Sequence, residues 1–596
     1  MSDTTIDRAT TVATVAELPH AAAERFATRT AARRLVDGEW REVTYGEAVG
    51  AIEEISLGLV ALGIQPGDRV GIVAGTRLEW TLSSYGISAA GGVVVPVYPT
   101  SSARECEWVL SDSGARAVVC ENAAQVDKVA SVAAGLPALE HVVAIEPAGG
   151  ELTLDGLRAR GVGVDREALV RRRQAVAPDD VYTIIYTSGT TGPPKGVVLT
   201  HRNAISVCEM VQELEFVSSD EATYLFLPLA HAYALTAQLA SYDLGSSIVY
   251  WGGDPTQIVP ELIATHPTYL PAVPRIFEKL YTAAMKMTEQ LDSEQRARFE
   301  QAVKLGLEVR RRRERGEQVP TEMADAFEGA EETLYRRVSC LFGGQIAQAI
   351  SGAAPIAPEI LEFFYACGVP VLEGWGMTET TAVATVNTRD ALRFGSVGRP
   401  LPGVEIRIAQ DSEVLVRGRN VFREYWRNPE ATAAALVDGW LHTGDLGSLD
   451  DDGFLSITGR KKDIIITAGG KNLTPANIEN DLKQTRFISQ AVMHGDRRPY
   501  PVALITLDAE EIVPWAREQG LPEDPALLSR ELSVIALVQT EIDRANGGYA
   551  QVGQIKRFAI LERDLTIEAG ELTPTLKVKR SVVCERYAEL LDSLYA

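Results

Sequence analysis

Tyr186-Thr-Ser-Gly-Thr-Thr-Gly-Pro-Pro-Lys-Gly196 is the stretch from which the rest of the chain can be read. An apolar run, Val181 to Tyr186, leads into it and reads as a buried strand; a second, Val197 to Leu199, leads out. Gly189, Gly192 and Gly196 let the backbone turn tightly and come close to an anion. Thr187, Ser188, Thr190 and Thr191 supply hydroxyl donors, Lys195 a positive charge, and Pro193 and Pro194 a stiff exit. A loop of this make-up suits a polyphosphate. It is not a Walker A loop, because Lys195 follows Pro194 and precedes Gly196, where that motif needs Gly-Lys followed by Ser or Thr. The bland alternative is a solvated Gly/Thr hairpin turn.

The loop resembles the signature of the adenylate-forming superfamily: acyl-CoA synthetases, luciferases and the adenylation domains of peptide synthetases. The resemblance implies activation of a carboxylate with ATP and Mg²⁺, release of pyrophosphate, and transfer of the acyl group from AMP to a thiol. Four further segments carry it. Gly374-Trp-Gly-Met-Thr-Glu379 follows a strand-like run; Gly374 and Gly376 would let backbone approach a flat base, beside Trp375 and Met377. The resemblance puts Thr378 on the α-phosphate and makes Glu379, a hard oxygen donor, the Mg²⁺ ligand. Gly352, Ala353, Ala354 and Pro355 resemble the wall of the adenine and acyl pocket, although a plain surface turn fits them as residues. Asp445, in Leu441-His-Thr-Gly-Asp445, can accept from two ribose hydroxyls, and Arg460 can meet ribose or phosphate; taken alone, two charges this far apart are commonly unrelated. His231, in Leu227-Pro-Leu-Ala-His231, stands where the family often has a histidine beside the carboxylate, though a core histidine is the plainer reading.

Near the C-terminus, Leu572 to Arg580 resembles the lysine motif of long-chain acyl-CoA synthetases. It places Lys577 at the reacting phosphate, with Lys579 as the alternative, since Thr575-Leu576 replaces the commoner Ser-Gly. A cation there would stabilise charge gathering on the pentavalent α-phosphate. Lys462 would be the pivot of a hinge at residues 460–463, and Gly469, Gly470, Lys471 and Asn472 would line the coenzyme A tunnel after rotation. Pro271 to Glu278 also resembles the long-chain branch, so the implied substrate is a fatty acid. Glu424, in Val421-Phe-Arg-Glu-Tyr-Trp426, stands where the family commonly has Gly, and the sequence gives no reason for it. The rival readings are a fatty acyl-AMP ligase loading a carrier protein, an NTPase releasing phosphate, and a non-catalytic binding protein.

Bulk properties agree. At 596 residues the chain exceeds one ordinary core. A net charge of −23 argues against nucleic acid as a partner. Six cysteines without a CxxC pair read as buried thiols of a cytoplasmic protein. Neither a secretory signal nor an apolar run of eighteen residues is present; peripheral membrane contact and oligomeric state stay open. Alternating helical and β-rich runs predict an α/β fold. The expected organisation is a flexible tail (1–15), a large N-terminal domain of mixed parallel sheets covered by helices (16–459), the hinge, and a small mobile α+β domain (464–596). A charged helical insert spans about 276–338, and its run Arg310 to Arg315 reads as a solvated helix face.

Overall fold

The computed structural model describes residues 12–147, 149, 151–187, 193–214, 220–286, 292–468, 471–573 and 577–596. Two large sheets dominate. One holds, in neighbour order, Glu424–Tyr425, Lys195–Thr200, Val181–Thr187, Val93–Val97, Arg69–Val73, Ala117–Cys120, His141–Ala144 and Leu152–Thr153. The other includes Val371–Trp375, Gln348–Ser351, Tyr269–Ala272, Ala222–Leu225 and Ser247–Tyr250 as consecutive parallel neighbours. Their strands are nearly continuous apolar runs such as Val93–Val97, as expected where helices cover both faces. Sequence fixes the helix starts locally. Thr44 with Glu47, Ser102 with Glu105, and Thr200 with Asn203 each form a reciprocal capping box.

The segments read as functional lie at matching ends of these sheets. Leu227–His231, Gly352–Pro355 and Gly376–Glu379 all follow the C-terminal ends of neighbouring parallel strands. Thr187 ends its strand at the C-terminal end of the first sheet's parallel strands. That edge is where open α/β sheets bind ligands.

A third sheet was not foreseen. Glu405–Ile408, Glu413–Arg417, Trp440–Leu449, Leu436–Val437 and Leu455–Arg460 pair antiparallel. Beyond it, Ile488–His494, Val502–Leu507 and Arg557–Ile560 form a separate small sheet with its own core around Ile505, Val538 and Ile542.

Three expectations need correction. Val15, assigned to the tail, is fully buried, and its N–H donates to His201 Nδ1 at 3.2 Å. Cys340 is exposed, unlike Cys106, Cys120, Cys208 and Cys367. The arginine run is not simply a solvated face. Arg310 donates to the Ala366 carbonyl at 3.1 Å and lies 5.2 Å over the Phe327 ring, while Arg311 pairs with Glu362 at 3.0 Å. These contacts dock the helix Ser293–Glu314 onto Pro358–Ala366, because guanidinium can stack and hydrogen-bond at once. Among the described residues no helix is long and apolar enough to cross a membrane.

Candidate active site

Asp445 and Arg460 are fifteen positions apart in sequence but directly opposed in the antiparallel pair Trp440–Leu449 and Leu455–Arg460. Arg460 Nε donates to Asp445 Oδ1 at 2.7 Å, and Trp375 Nε1 donates to Oδ2 at 2.9 Å. The buried carboxylate is thus held from both sides, by the third sheet and by the strand Val371–Trp375. Each oxygen keeps acceptor capacity for a further donor.

Trp375 leads into a tight turn. Thr378 and Glu379 are buried in a short 3₁₀ turn, followed by two residues with left-handed backbone, Thr381 (φ 51°) and Ala382 (φ 80°). Asn420 secures this conformation, donating to the Val383 carbonyl at 2.8 Å, and Thr381 donates to the Asn420 carbonyl at 2.7 Å. Non-glycine residues held in this region store strain, which suits a site that must be preformed. The glycines also answer a packing need. A Cβ on Gly376 would lie 2.2 Å from the Ala382 carbonyl oxygen, and one on Gly196 would lie 2.8 Å from Ile184. Both are needed for the chain to pack on itself.

His231 caps the helix Ala232–Leu244, its Nδ1 accepting from Tyr233 N–H at 3.2 Å. Its loop is strapped to the first sheet by Thr76, whose hydroxyl donates to the Leu227 carbonyl and accepts from Leu229 N–H. Burial, and then the charge of Lys577, push the imidazole down to about 3. It is neutral, and with Nδ1 accepting, the proton sits on Nε2. Gly352 to Pro355 turn away beside it; a Cβ on Gly352 would lie 3.2 Å from the Tyr233 ring, and Ala353 has φ 70°.

Lys577 enters from the small C-terminal unit. Leu572 and Val578 form an antiparallel bridge, and Lys577 N–H donates to Thr573 Oγ1 at 3.0 Å. Lys577 is exposed as a residue, and loss of solvent around its ammonium is the largest influence on its charge. That loss, with Arg460 close by, brings its ammonium down to about 8, while Asp445 opposes the shift. Lys577 thus lies within electrostatic range of Arg460, Asp445 and His231, at the face where the C-terminal unit meets the large one. Lys579 is turned elsewhere, toward Glu105 at 3.5 Å. Lys462 lies in the 3₁₀ turn Lys461–Asp463, lowered by burial and then by Arg460.

On the phosphate side, Thr187 and Lys195 are register partners in the hairpin of Val181–Thr187 and Lys195–Thr200. Ser188, Gly189, Thr190, Thr191 and Gly192 lie outside the described residues, as do Gly469 and Gly470. Lys471 and Asn472 are exposed, Asn472 beginning the strand Asn472–Leu473. Two side chains at the site escaped the sequence reading. Tyr425 donates to Glu379 Oε1 at 2.7 Å, and Asn420 holds the turn behind it. Both lie within eight residues after Gly418, and no isolated-sequence signal separates them from ordinary strand and turn residues. Glu379, a buried carboxylate aimed at the phosphate side, fits the single carboxylate that Mg²⁺ takes alongside phosphate oxygens. Among the described residues no cluster of three His, Cys, Asp or Glu could hold a metal alone.

The sequence matches the AMP-binding enzyme family over residues 20–426 and the AMP-binding enzyme C-terminal domain over residues 462–596. It is 39% identical to the long-chain-fatty-acid–CoA ligase FadD15 of Mycobacterium bovis, over 94% of this chain and 94% of that one. It is 30% identical to the long-chain-fatty-acid–CoA ligase ACSBG2 of Xenopus laevis, over 94% of this chain and 80% of the relative. Among solved structures, ATP-bound MatB from Rhodopseudomonas palustris aligns with a TM-score of 0.70 at 25% identity, covering 96% of this chain and 99% of that one. The anthranilate CoA ligase AuaEII in complex with anthranoyl-AMP shares the fold, with a TM-score of 0.74 at 20% identity and 98% of each chain covered.

Proposed function

The chain belongs to the AMP-binding enzyme family, and from that premise we propose that it is an ATP-dependent ligase joining a long-chain fatty acid to coenzyme A. The observation that supports the reading is Asp445 held between Arg460 and Trp375, with Lys577 and His231 within electrostatic range of one another nearby. In the first half-reaction a fatty carboxylate oxygen attacks the α-phosphorus of ATP and the bond to pyrophosphate breaks. The acid arrives ionised, so no base is required. Neutral His231 donates from Nε2 to a carboxylate oxygen. Lys577 places its charge against the oxygens of the pentavalent phosphorus, where a preorganised cation counts most. Asp445 accepts from the ribose hydroxyls, Arg460 backs it, and Thr378 touches the α-phosphate. Glu379 would hold Mg²⁺, which neutralises phosphate charge when bound.

In the second half-reaction the coenzyme A sulfur attacks the acyl carbonyl, and AMP leaves with the electron pair of the broken acyl–oxygen bond. Rotation about Lys462 would withdraw Lys577 and bring the turn at Gly469, Gly470, Lys471 and Asn472 into its place.

The test is pyrophosphate release from MgATP with a panel of fatty acids, with and without coenzyme A. Acid-dependent pyrophosphate that turns over only with coenzyme A is expected. Product that stops at bound acyl-AMP despite coenzyme A would instead mark a carrier-loading enzyme, and orthophosphate would overturn the reading.

A further inference from the structure

Tyr425 has an unusual set of contacts for a side chain on a two-residue strand. Glu424–Tyr425 pairs antiparallel with Lys195–Thr200, Tyr425 opposite Val197 and Glu424 opposite Val198. Trp426 N–H donates to the Gly196 carbonyl at 2.7 Å, and Tyr425 N–H donates to Thr432 Oγ1 at 3.0 Å, so the position is fixed along the backbone. Side chains alternate on a strand. Glu424 therefore turns to the surface and pairs with Arg423 at 2.8 Å, which explains why a long acidic side chain is tolerated where glycine is common. Tyr425 turns inward and is buried, its ring 4.8 Å from that of Phe422.

Facing inward, it meets both sides of the phosphate region. Its hydroxyl donates to Glu379 Oε1 at 2.7 Å, and the Lys195 ammonium lies 5.1 Å from the centre of its ring. The segment grips Glu379 a second time, Phe422 N–H donating to the Glu379 carbonyl at 2.8 Å. A phenol is protonated at neutral pH and acts here as a donor. With Oε1 engaged, Oε2 is the oxygen left free to face a cation. The ring meanwhile holds an ammonium over its negative face.

Resting on the function proposed above, we propose that Tyr425 is a positioning residue that fixes Glu379 for the divalent cation and Lys195 for the nucleotide phosphates. It does not touch the reacting atoms. It sets the direction of the two charges that do, and its hydroxyl and its ring act on different ones.

Tyr425→Phe removes only the hydroxyl, and Tyr425→Leu removes the aromatic face as well. The readout is the thermal shift given by ATP in EDTA and by ATP with graded Mg²⁺, beside wild type and Glu379→Gln. Outer hydrogen-bond partners of metal ligands typically change metal affinity by about 10–100-fold. Tyr425→Phe is expected to raise the Mg²⁺ concentration for the half-maximal shift by about tenfold, with the metal-free ATP shift unchanged. Tyr425→Leu is expected to weaken the metal-free ATP shift in addition. Tyr425→Phe added to Glu379→Gln is expected to change the Mg²⁺ dependence no further. Wild-type Mg²⁺ dependence in Tyr425→Phe would overturn the proposal, as would an effect persisting on top of Glu379→Gln. If wild type itself gives no MgATP shift and no acid-dependent pyrophosphate, it is the function proposed above that fails.

Discussion

Lys577 owes its lowered affinity for protons to burial and to Arg460, and both follow from the contact between the two units. In the proposed reaction, the charge that Lys577 would lend to the α-phosphate is present below about pH 8 and is lost above it. The kcat/KM for adenylation, which reports the free enzyme, is therefore expected to fall on the alkaline side with a limb near pH 8. Lys577→Arg should carry that limb out of range, because arginine does not deprotonate. Lys577→Ala is expected to lower adenylation by about 10²–10³-fold, the scale of losing one preorganised charge. It should spare most of thioester formation from supplied acyl-AMP, as rapid-quench assays of the separate half-reactions would reveal; equal loss in both halves would contradict the assignment. His231, held near 3, is expected to contribute no limb between pH 5 and 8. At this scale the sequence singles out residues whose chemistry is rare in their setting: a lysine after a proline pair, a Thr-Glu following a strand. It ranked Lys577 over Lys579 on alignment alone, and the fold adds a physical difference: Lys579 is turned to Glu105, while Lys577 stands near Arg460 and Asp445.

The strands and helices divide the same way. Val93–Val97 and Ala117–Cys120 were legible because a doubly covered parallel strand has to be apolar throughout. The antiparallel sheet that carries Asp445 and Arg460 was not. Glu405–Ile408 buries none of its residues, Trp440–Leu449 alternates only in part, and a bulge between Leu446 and Gly447 breaks the alternation. Tyr425 was missed for a related reason: two residues are too short for a period, and only pairing with Val197 fixes which way the ring points. Glycine requirements likewise depend on distant neighbours. A Cβ on Gly306, within the helix Ser293–Glu314, would lie 2.5 Å from the Ala366 carbonyl oxygen and 2.8 Å from Tyr335 Oη. Gly306→Ala is expected to cost about 1–3 kcal/mol by overpacking, seen as a lower midpoint in urea. Arg310→Ala should weaken the same seam through lost stacking on Phe327.

Across the whole molecule, the helix Pro274–Lys286 of the large unit faces the start of Ala509–Glu518 in the small one. Arg275 pairs with Asp508, Lys279 with Glu510 at 2.8 Å, and Lys286 with Glu511 at 2.7 Å. Partly exposed pairs are individually worth about 0–1 kcal/mol, but these three act in one direction, holding the arrangement in which Lys577 stands near Arg460 and Asp445. Glu510→Lys is expected to slow adenylation several-fold relative to thioester formation, and adding Lys279→Glu to restore the ratio. Raised ionic strength should mimic the single change in wild type. One feature of the site has a mechanical result. Arg460 closes the last strand of the third sheet, and Lys462 stands two residues further along the same chain. With the pivot proposed at Lys462, grip and swivel are links of one short tether rather than stations on a long relay. Lengthening the chain by one residue between Arg460 and Lys462 is then expected to leave both parts intact and cut the conversation between them.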